Sequence, residues 1–377
     1  MRTHVLRTGI GLFAAIGLVT GLSACGSSSP SGSGSGTTST AGSSGTTSTA
    51  GSSGTTSTAG SSGTPTTAGG GTTTLKVALV APSATNDLAF TQSMYAALQS
   101  LASSENVKIS VSANEFVVSD AANIIRQYAT EGYNLIVAHG SQYGTTIQQL
   151  APQFPRVSFA WGTAGATFGQ PNVFAYEASS NEGGYVQGYL AALLSKSHKL
   201  GIIGPIAVGD AKLYVDGFQA GAAAAAAANH FTVSDTPVYT GSFSDASAMA
   251  AAAKTFVSGG ADVLTGSSQS VVGAIGVATS DKLPWFSTQW TQESIAPNNV
   301  VSSQIYNWAP ILVQMITAIR SGKLGGATYV IGLGNGGEQI KLNPGYNLSG
   351  FPMTSAIRSQ MQKLIKGITD GTITVPQ

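Results

Sequence analysis

The sequence predicts an α/β protein of two similar lobes, each a doubly wound, mostly parallel sheet. Three observations predict it. From Leu75 onward, short apolar runs of strand length alternate with stretches of helical spacing, as expected where helices cover both faces of a parallel sheet. The same alternation begins again after a long helical stretch, Glu182–Leu194. About 300 residues follow the first strand, more than one core usually serves.

The elements can be justified in order. Leu75-Lys76-Val77-Ala78-Leu79-Val80 is an apolar run ending at Pro82 and reads as a buried strand. Phe90, Met94, Ala97, Leu98 and Leu101 then fall on one helical face. A strand Lys108–Val111, a helix from Asp120 to about Thr130 and a strand Asn134–Ala138 follow, then strands Val157–Trp161 and Val173–Tyr176. The second series begins with a strand Leu200–Ile203 and a helix holding Tyr214–Phe218 and seven alanines, Ala222–Ala228. It continues with a strand Val233–Tyr239, a helix Asp245–Val257, a strand Ala261–Thr265, a helix Val271–Ala278 and a strand Trp285–Ser287. One lobe is expected to take residues 75–196 with a return segment near 299–322. The other takes 197–298 with the C-terminal part, 323–377.

Two different kinds of sequence precede the lobes. Arg2 and Arg7 lead into an apolar run from about Ile10 to Leu22, closed by Ser23-Ala24-Cys25. A basic start, a short apolar stretch and a small-residue cleavage site make an export signal. The run falls short of the roughly 18–20 residues of a spanning helix. Leu22-Ser23-Ala24-Cys25 is similar to the bacterial lipobox. That resemblance implies that residues 1–24 are removed and that Cys25 carries lipid, on the outer face of the cytoplasmic membrane. Cys25 is the only cysteine, so no disulfide can form within the chain. Residues 25–74 are a Gly/Ser/Thr/Ala linker in which Gly-Thr-Thr-Ser-Thr-Ala-Gly-Ser-Ser repeats from Gly36, Gly45 and Gly54. Without apolar groups such a segment forms no core; as a flexible coil it spans about 40 Å.

Composition excludes several functions. The formal net charge is +1 and only 9% of residues are charged, so there is no basic field to hold nucleic acid. Four scattered histidines and one cysteine give no zinc spacing. No Gly-x-Ser-x-Gly elbow occurs in the folded part. The chain reads as a binding protein without a cofactor or metal, not as an enzyme.

In doubly wound sheets ligands bind outside the carboxyl ends of the strands. That rule singles out Asn86, Asp87, Phe90 and Thr91 after the first strand, and His139, Gly140 and Ser141 after the third. It also selects Phe243, then Gly266 and Ser267, then Gln289 and Trp290, after strands of the second series. Aromatic rings among neutral hydrogen-bonding groups suit a flat, largely uncharged molecule with polar edges. Phe90 begins a helix and core packing is the rival reading; Asp87, at a helix start, could equally be a cap.

Several segments together resemble the basic membrane protein family of ABC-transporter substrate-binding lipoproteins. They are Lys76–Val80 with Asn86-Asp87-x-Ala89-Phe90-Thr91-Gln92, Glu182-Gly-Gly-Tyr185-x-x-Gly188, Val215-Asp-Gly-Phe218-x-x-Gly221, Tyr239-x-Gly241-Ser-Phe243-x-Asp245 and Gly260-Ala-Asp262-Val263. The resemblance implies a type I periplasmic-binding-protein fold, a nucleoside-like ligand held between the lobes, and delivery to an ABC-transporter permease. It places Phe90 and Phe243 where two rings sandwich a base, and Asn86 or Asp87 at the base edge. The family's ribose-binding acidic residue and lysine have no counterpart in Phe286–Trp290 or Val301–Trp308. The alternative is a ligand-sensing surface lipoprotein that acts through a membrane receptor.

Overall fold

The computed structural model describes residues 73–377. The export signal, Cys25 and linker residues up to 72 lie outside the described residues. Strands β1 (Leu75–Val80), β2 (Val107–Ser112), β3 (Leu135–Ala138), β4 (Ser158–Gly162) and β5 (Val173–Ala178) open the first series. The second holds β6 (Leu200–Gly204), β7 (Val238–Tyr239), β8 (Val263–Gly266), β9 (Trp285–Ser287) and β10 (Val300–Tyr306), and is followed by β11 (Ala327–Ile331) and β12 (Glu338–Leu342). They form two six-stranded sheets, in the orders β11-β5-β4-β3-β1-β2 and β12-β10-β9-β8-β6-β7. Every pairing is parallel except β10 with β12.

Each sheet is covered on both faces, which is why its central strands are apolar throughout. On the first sheet, α1 (Phe90–Leu101) packs one face and α2 (Val118–Thr130) and α3 (Gly144–Leu150) the other. On the second, α4 (Ser180–Leu194) and α5 (Gly209–Asn229) cover one face, with α6 (Ala246–Ser258) and α7 (Val272–Ser280) opposite. Later in the chain, α8 (Ala309–Arg320) joins α1 and α9 (Ser355–Thr369) joins α4. Helices α4 and α5 press backbone on backbone. A Cβ on Gly188 would stand 1.9 Å from the Phe218 carbonyl oxygen, and one on Gly221 1.9 Å from that of Tyr185. Only glycine permits that approach.

The division into lobes differs from the expectation. Residues 182–194 belong with the second sheet, since α4 is locked to α5. Within 299–322, β10 pairs with β9 in the second sheet, and only α8 returns to the first lobe. Within 323–377, β11 pairs with β5 in the first sheet, and β12 and α9 stay with the second. The chain therefore passes between the sheets at Ser179, at Asn307–Trp308 and at Gly332–Gly337. All three passages lie at one edge, because β5 neighbours β11 and β10 neighbours β12. One expected strand also shrinks: Val233–Tyr239 keeps only Val238–Tyr239 and a single bridge from Ser234 to Lys199. Pro237 lacks the N–H that a longer ladder needs.

A candidate ligand-binding cleft

The carboxyl ends of both sheets border one cleft, about 440 Å³ counting the open solvent at its mouth. The first lobe contributes Pro82 and Phe90 after β1, Phe116 after β2, Gly140, Ser141 and Gln142 after β3, and Thr163 after β4. The second contributes Val208, Gly209 and Asp210 after β6, Phe243 after β7, Ser267, Ser268 and Gln269 after β8, and Gln289 after β9. The lobes touch around it. Gln292 Nε2 donates to the Leu88 carbonyl at 3.1 Å, and the Phe116 and Phe243 rings lie 6.2 Å apart at 47°.

The wall from the first lobe is an aromatic stack. Phe90 is 4% exposed, and its ring lies 3.7 Å from that of His139, within 8° of parallel. Its edge meets Trp308 at 6.3 Å. His139 is fully buried. Burial pushes its pKa down to about 3, so the ring is neutral. Its Nε2 donates to the Phe90 carbonyl at 3.0 Å, which leaves Nδ1 to accept from the Tyr176 hydroxyl at 2.7 Å. Trp308 Nε1 donates to Ser93 Oγ at 2.8 Å. The platform behind Phe90 thus has its polar atoms satisfied.

Asp87 fixes the same segment from below. Its carboxylate accepts from Ser83 Oγ at 2.6 Å and from the backbone N–H groups of Ala89, Gln92 and Thr91 at 2.9, 3.0 and 3.1 Å. It terminates α1 in the manner of a cap. Burial raises its pKa, and those four donors act against the rise.

The wall from the second lobe is polar. Phe243 is half-buried, and its carbonyl accepts from Ser268 Oγ at 2.8 Å and Ser270 Oγ at 3.3 Å. Asp210 stands in the first turn of α5, only 9% exposed. Its Oδ2 accepts from Gln289 Nε2 at 2.9 Å and from the Tyr306 hydroxyl at 3.3 Å. Burial raises its pKa to about 6 despite those bonds. Among the described residues that line the cleft, Asp210 is the one ionisable side chain. Gln289 sits at a φ of +69°, in the left-handed region, and its carbonyl accepts from the Tyr306 N–H at 3.2 Å. Among the described residues, no group of three or more His, Cys, Asp or Glu is placed to hold a metal ion.

Of the residues singled out in the sequence, the cleft brings together Phe90, Gly140, Ser141, Phe243, Ser267 and Gln289. His139 and Thr91 lie fully buried behind Phe90, where Thr91 Oγ1 is 2.7 Å from Ser83 Oγ. Asp87 is engaged by its own turn, and Asn86 beside it is exposed. Gly266 is the last residue of β8; a Cβ there would meet Met249 and Trp285 inside the lobe. Trp290 is half-buried and off the lining. Neither Asn86 nor Asp87 lines the cleft: the turn before α1 engages the Asp87 carboxylate, and Asn86 is exposed. Phe116, Thr163 and Asp210 were missed. The strand-end rule would have found them had it been applied after β2, β4 and β6 as well.

The sequence model of the Bmp family, "ABC transporter substrate-binding protein PnrA-like", matches residues 74–371. The chain belongs to this family. The chain is 29% identical over 147 residues to the transcriptional activator protein med of Bacillus subtilis, covering 39% of this chain and 45% of that protein. It is 35% identical over 104 residues to a purine-binding protein of Brucella abortus, covering 28% and 29%. It is 28% identical over 154 residues to the ABC transporter nucleoside-binding protein BmpA of Lactococcus lactis, covering 40% and 44%. The matched stretches thus span less than half of each of these relatives. Among solved structures, a solute-binding protein of an ABC transporter system from Conexibacter woesei superposes with a TM-score of 0.64 at 23% identity, over 80% of this chain and 98% of that one. One from Aeropyrum pernix gives 0.68 at 18%, over 80% and 94%. Both show the fold: two mostly parallel α/β lobes of the type I solute-binding class. No helix among the described residues is long and apolar enough to cross a membrane.

Proposed function

We propose that this Bmp-family protein is held on the outer face of the cytoplasmic membrane by lipid on Cys25. There it closes its lobes on a flat, largely uncharged, nucleoside-like molecule and delivers it to the permease of an ABC importer. The observation that carries the reading is that Phe90 and Phe243, one ring from each lobe, line a single cleft whose other side chains are mostly neutral hydrogen-bonding groups. Such rings stack on a planar ligand while amides and hydroxyls read its edge. Two relatives named for purine and nucleoside binding support the ligand class.

In this proposal Phe90 and Phe243 clamp the ring. Gly140, Ser141, Ser267 and Gln289 meet its polar edge. His139, Asp87 and Thr91 hold Phe90 in place. Hinge closure would run through the three passages at Ser179, Asn307–Trp308 and Gly332–Gly337.

Mass spectrometry of the compound that co-purifies with the protein, followed by calorimetric titration with adenosine, guanosine and inosine, tests the ligand class. Binding of at least one at about micromolar Kd or tighter is expected. A non-aromatic co-purifying compound, with no binding of the three, overturns it. Metabolic labelling with a fatty acid tests the anchor: Cys25→Ser should carry no label, and equal labelling overturns that part. Uptake of the bound compound should fall when the gene is deleted; unchanged uptake would favour the sensing alternative.

A further inference from the structure

The second-lobe wall holds polar atoms that the protein does not satisfy. Ser267 Oγ, Gln269 Oε1 and Gln289 Oε1 are buried without a hydrogen-bond partner, and all three residues line the same cleft. Buried polar atoms in native proteins are nearly always bonded, and an orphaned one calls for an explanation. Gln289 is the most informative of the three because its amide has only one way to point. Nε2 donates to Asp210 Oδ2 at 2.9 Å, and a carboxylate accepts only. Oε1 must therefore face away from Asp210. The Tyr306 hydroxyl holds the same carboxylate oxygen, while the Tyr306 N–H holds the Gln289 carbonyl. A non-glycine residue kept at a φ of +69° beside a cleft fits a side chain fixed for recognition.

We infer that Asp210 is a positioning residue that locks the Gln289 amide, so that the cleft offers the ligand a hydrogen-bond-accepting edge and selects N–H or O–H groups there. The inference deepens the nucleoside-like reading and rests on it for the ligand, but the locked amide can be tested without any ligand. The donors could come from a base (an exocyclic amine) or from sugar hydroxyls. Both present the same chemistry to Gln289 Oε1, and a ligand donor would satisfy an acceptor that is otherwise left buried and unpaired. The titratable groups near Asp210 are Tyr306, whose hydroxyl bonds it, and Glu338, which bonds Gln304 at 2.9 Å. Burial raises the pKa of both.

The experiment uses residues 25–377 made without lipid and has two arms. In the first, glutamine side chains are labelled with ¹⁵N, and the amide signal lost in Gln289→Met is followed in ligand-free protein. It should move with pH around a midpoint near 6 and stay fixed in Asp210→Asn. A signal indifferent to pH in the unaltered protein overturns the lock. In the second arm, calorimetry compares adenosine with purine riboside, 2′-deoxyadenosine and 3′-deoxyadenosine. Loss of the amine or of one hydroxyl should weaken binding to the unaltered protein by about tenfold, and which one it is separates base from sugar. In Asp210→Asn the new amide can donate to Gln289 Oε1 and turn the glutamine over, so the same deletion should cost less than about threefold. Gln289→Met should abolish the preference as well, which guards against a variant that fails to fold. Equal losses in all three proteins overturn the inference. If none of adenosine, guanosine and inosine binds the unaltered protein, the nucleoside reading fails, and the first arm still decides the lock.

Discussion

The two walls of the cleft are built on opposite principles. The first-lobe wall is complete in itself: Phe90 is backed by His139, Tyr176 and Trp308, and the ring nitrogens behind it have partners. The second-lobe wall is incomplete: Ser267, Gln269 and Gln289 present buried atoms without partners, and Asp210 carries a charge where burial disfavours one. A satisfied aromatic wall supplies a rigid stacking surface that tolerates any flat ring. An unsatisfied polar wall costs stability when empty and discriminates when filled. In the proposed reading, Phe90 and Phe243 supply the stacking and selectivity falls mainly to the second-lobe wall.

The largest expected effect breaks the first wall. Phe90 reaches both the cleft and the core, so binding and stability should fall together in Phe90→Ala, rather than one or the other. A truncation of this kind costs about 3–5 kcal/mol of stability. Lost burial and stacking should weaken ligand binding on the order of a hundredfold. Denaturation and calorimetry read the two. Loss of stability without loss of affinity would reduce Phe90 to a core residue.

A smaller effect of opposite sign belongs to the second wall. The Asp210 pKa rises from 3.8 unfolded to about 6 folded. Below 3.8 both states hold the proton and the group contributes nothing. Between the two values the folded state binds the proton more strongly, so stability declines as pH rises. Above 6 the full cost applies, at most about 3 kcal/mol. Asp210→Asn should therefore raise the melting temperature of ligand-free protein at pH 8, with the gain shrinking towards zero near pH 4. A gain that is absent at pH 8, or that grows on acidification, would show that the second wall is not strained in this way.

The rim should matter least. Phe243 and Phe116 are half-buried and exposed respectively. Phe243→Ala should cost about tenfold in affinity or more, with less than about 1 kcal/mol of stability. Phe116→Ala should cost about threefold, through the ring contact alone. A Phe116 effect equal to that of Phe90 would mean that the ligand stacks at the rim, contrary to the division between walls.

Much of this was legible in the residues. Apolar runs such as Leu135–Ala138 declare buried strands, and the ends of those strands led to Phe90, Gly140, Ser141, Phe243, Ser267 and Gln289. Strand order was not legible, because pairing is non-local. Nothing in Val300–Tyr306 says that it lies beside Trp285–Ser287, or in Ala327–Ile331 that it lies beside Val173–Ala178. Without it the lobe boundaries were misplaced. Asp210 escaped notice because an acid in the first turn of a helix is ordinarily a favourable partner of the helix dipole. Its function depends on Gln289, 79 positions away. Asp87 misled for the complementary reason: it stands in the right loop, but its own backbone absorbs it.

The three passages between the sheets lie at the edge marked by β5 and β11 on one side and β10 and β12 on the other, while β2 and β7 form the far edges. Phe116 follows β2 and Phe243 follows β7. In the proposed hinge closure the molecule would therefore act as a lever pivoted at one end, with its two rim aromatics at the tip. Strands spaced about 4.8 Å apart put that tip roughly 20–25 Å from the pivot. A rotation of about 10° then moves it by about 4 Å, enough to carry two rings out of the 4.5–7 Å range in which they attract. In the proposed hinge motion the contact between Phe116 and Phe243 would accordingly be the first to be lost as the lobes part and the last to be made as they close. A fluorophore beside either ring would report the angle between the lobes with the greatest gain the architecture offers.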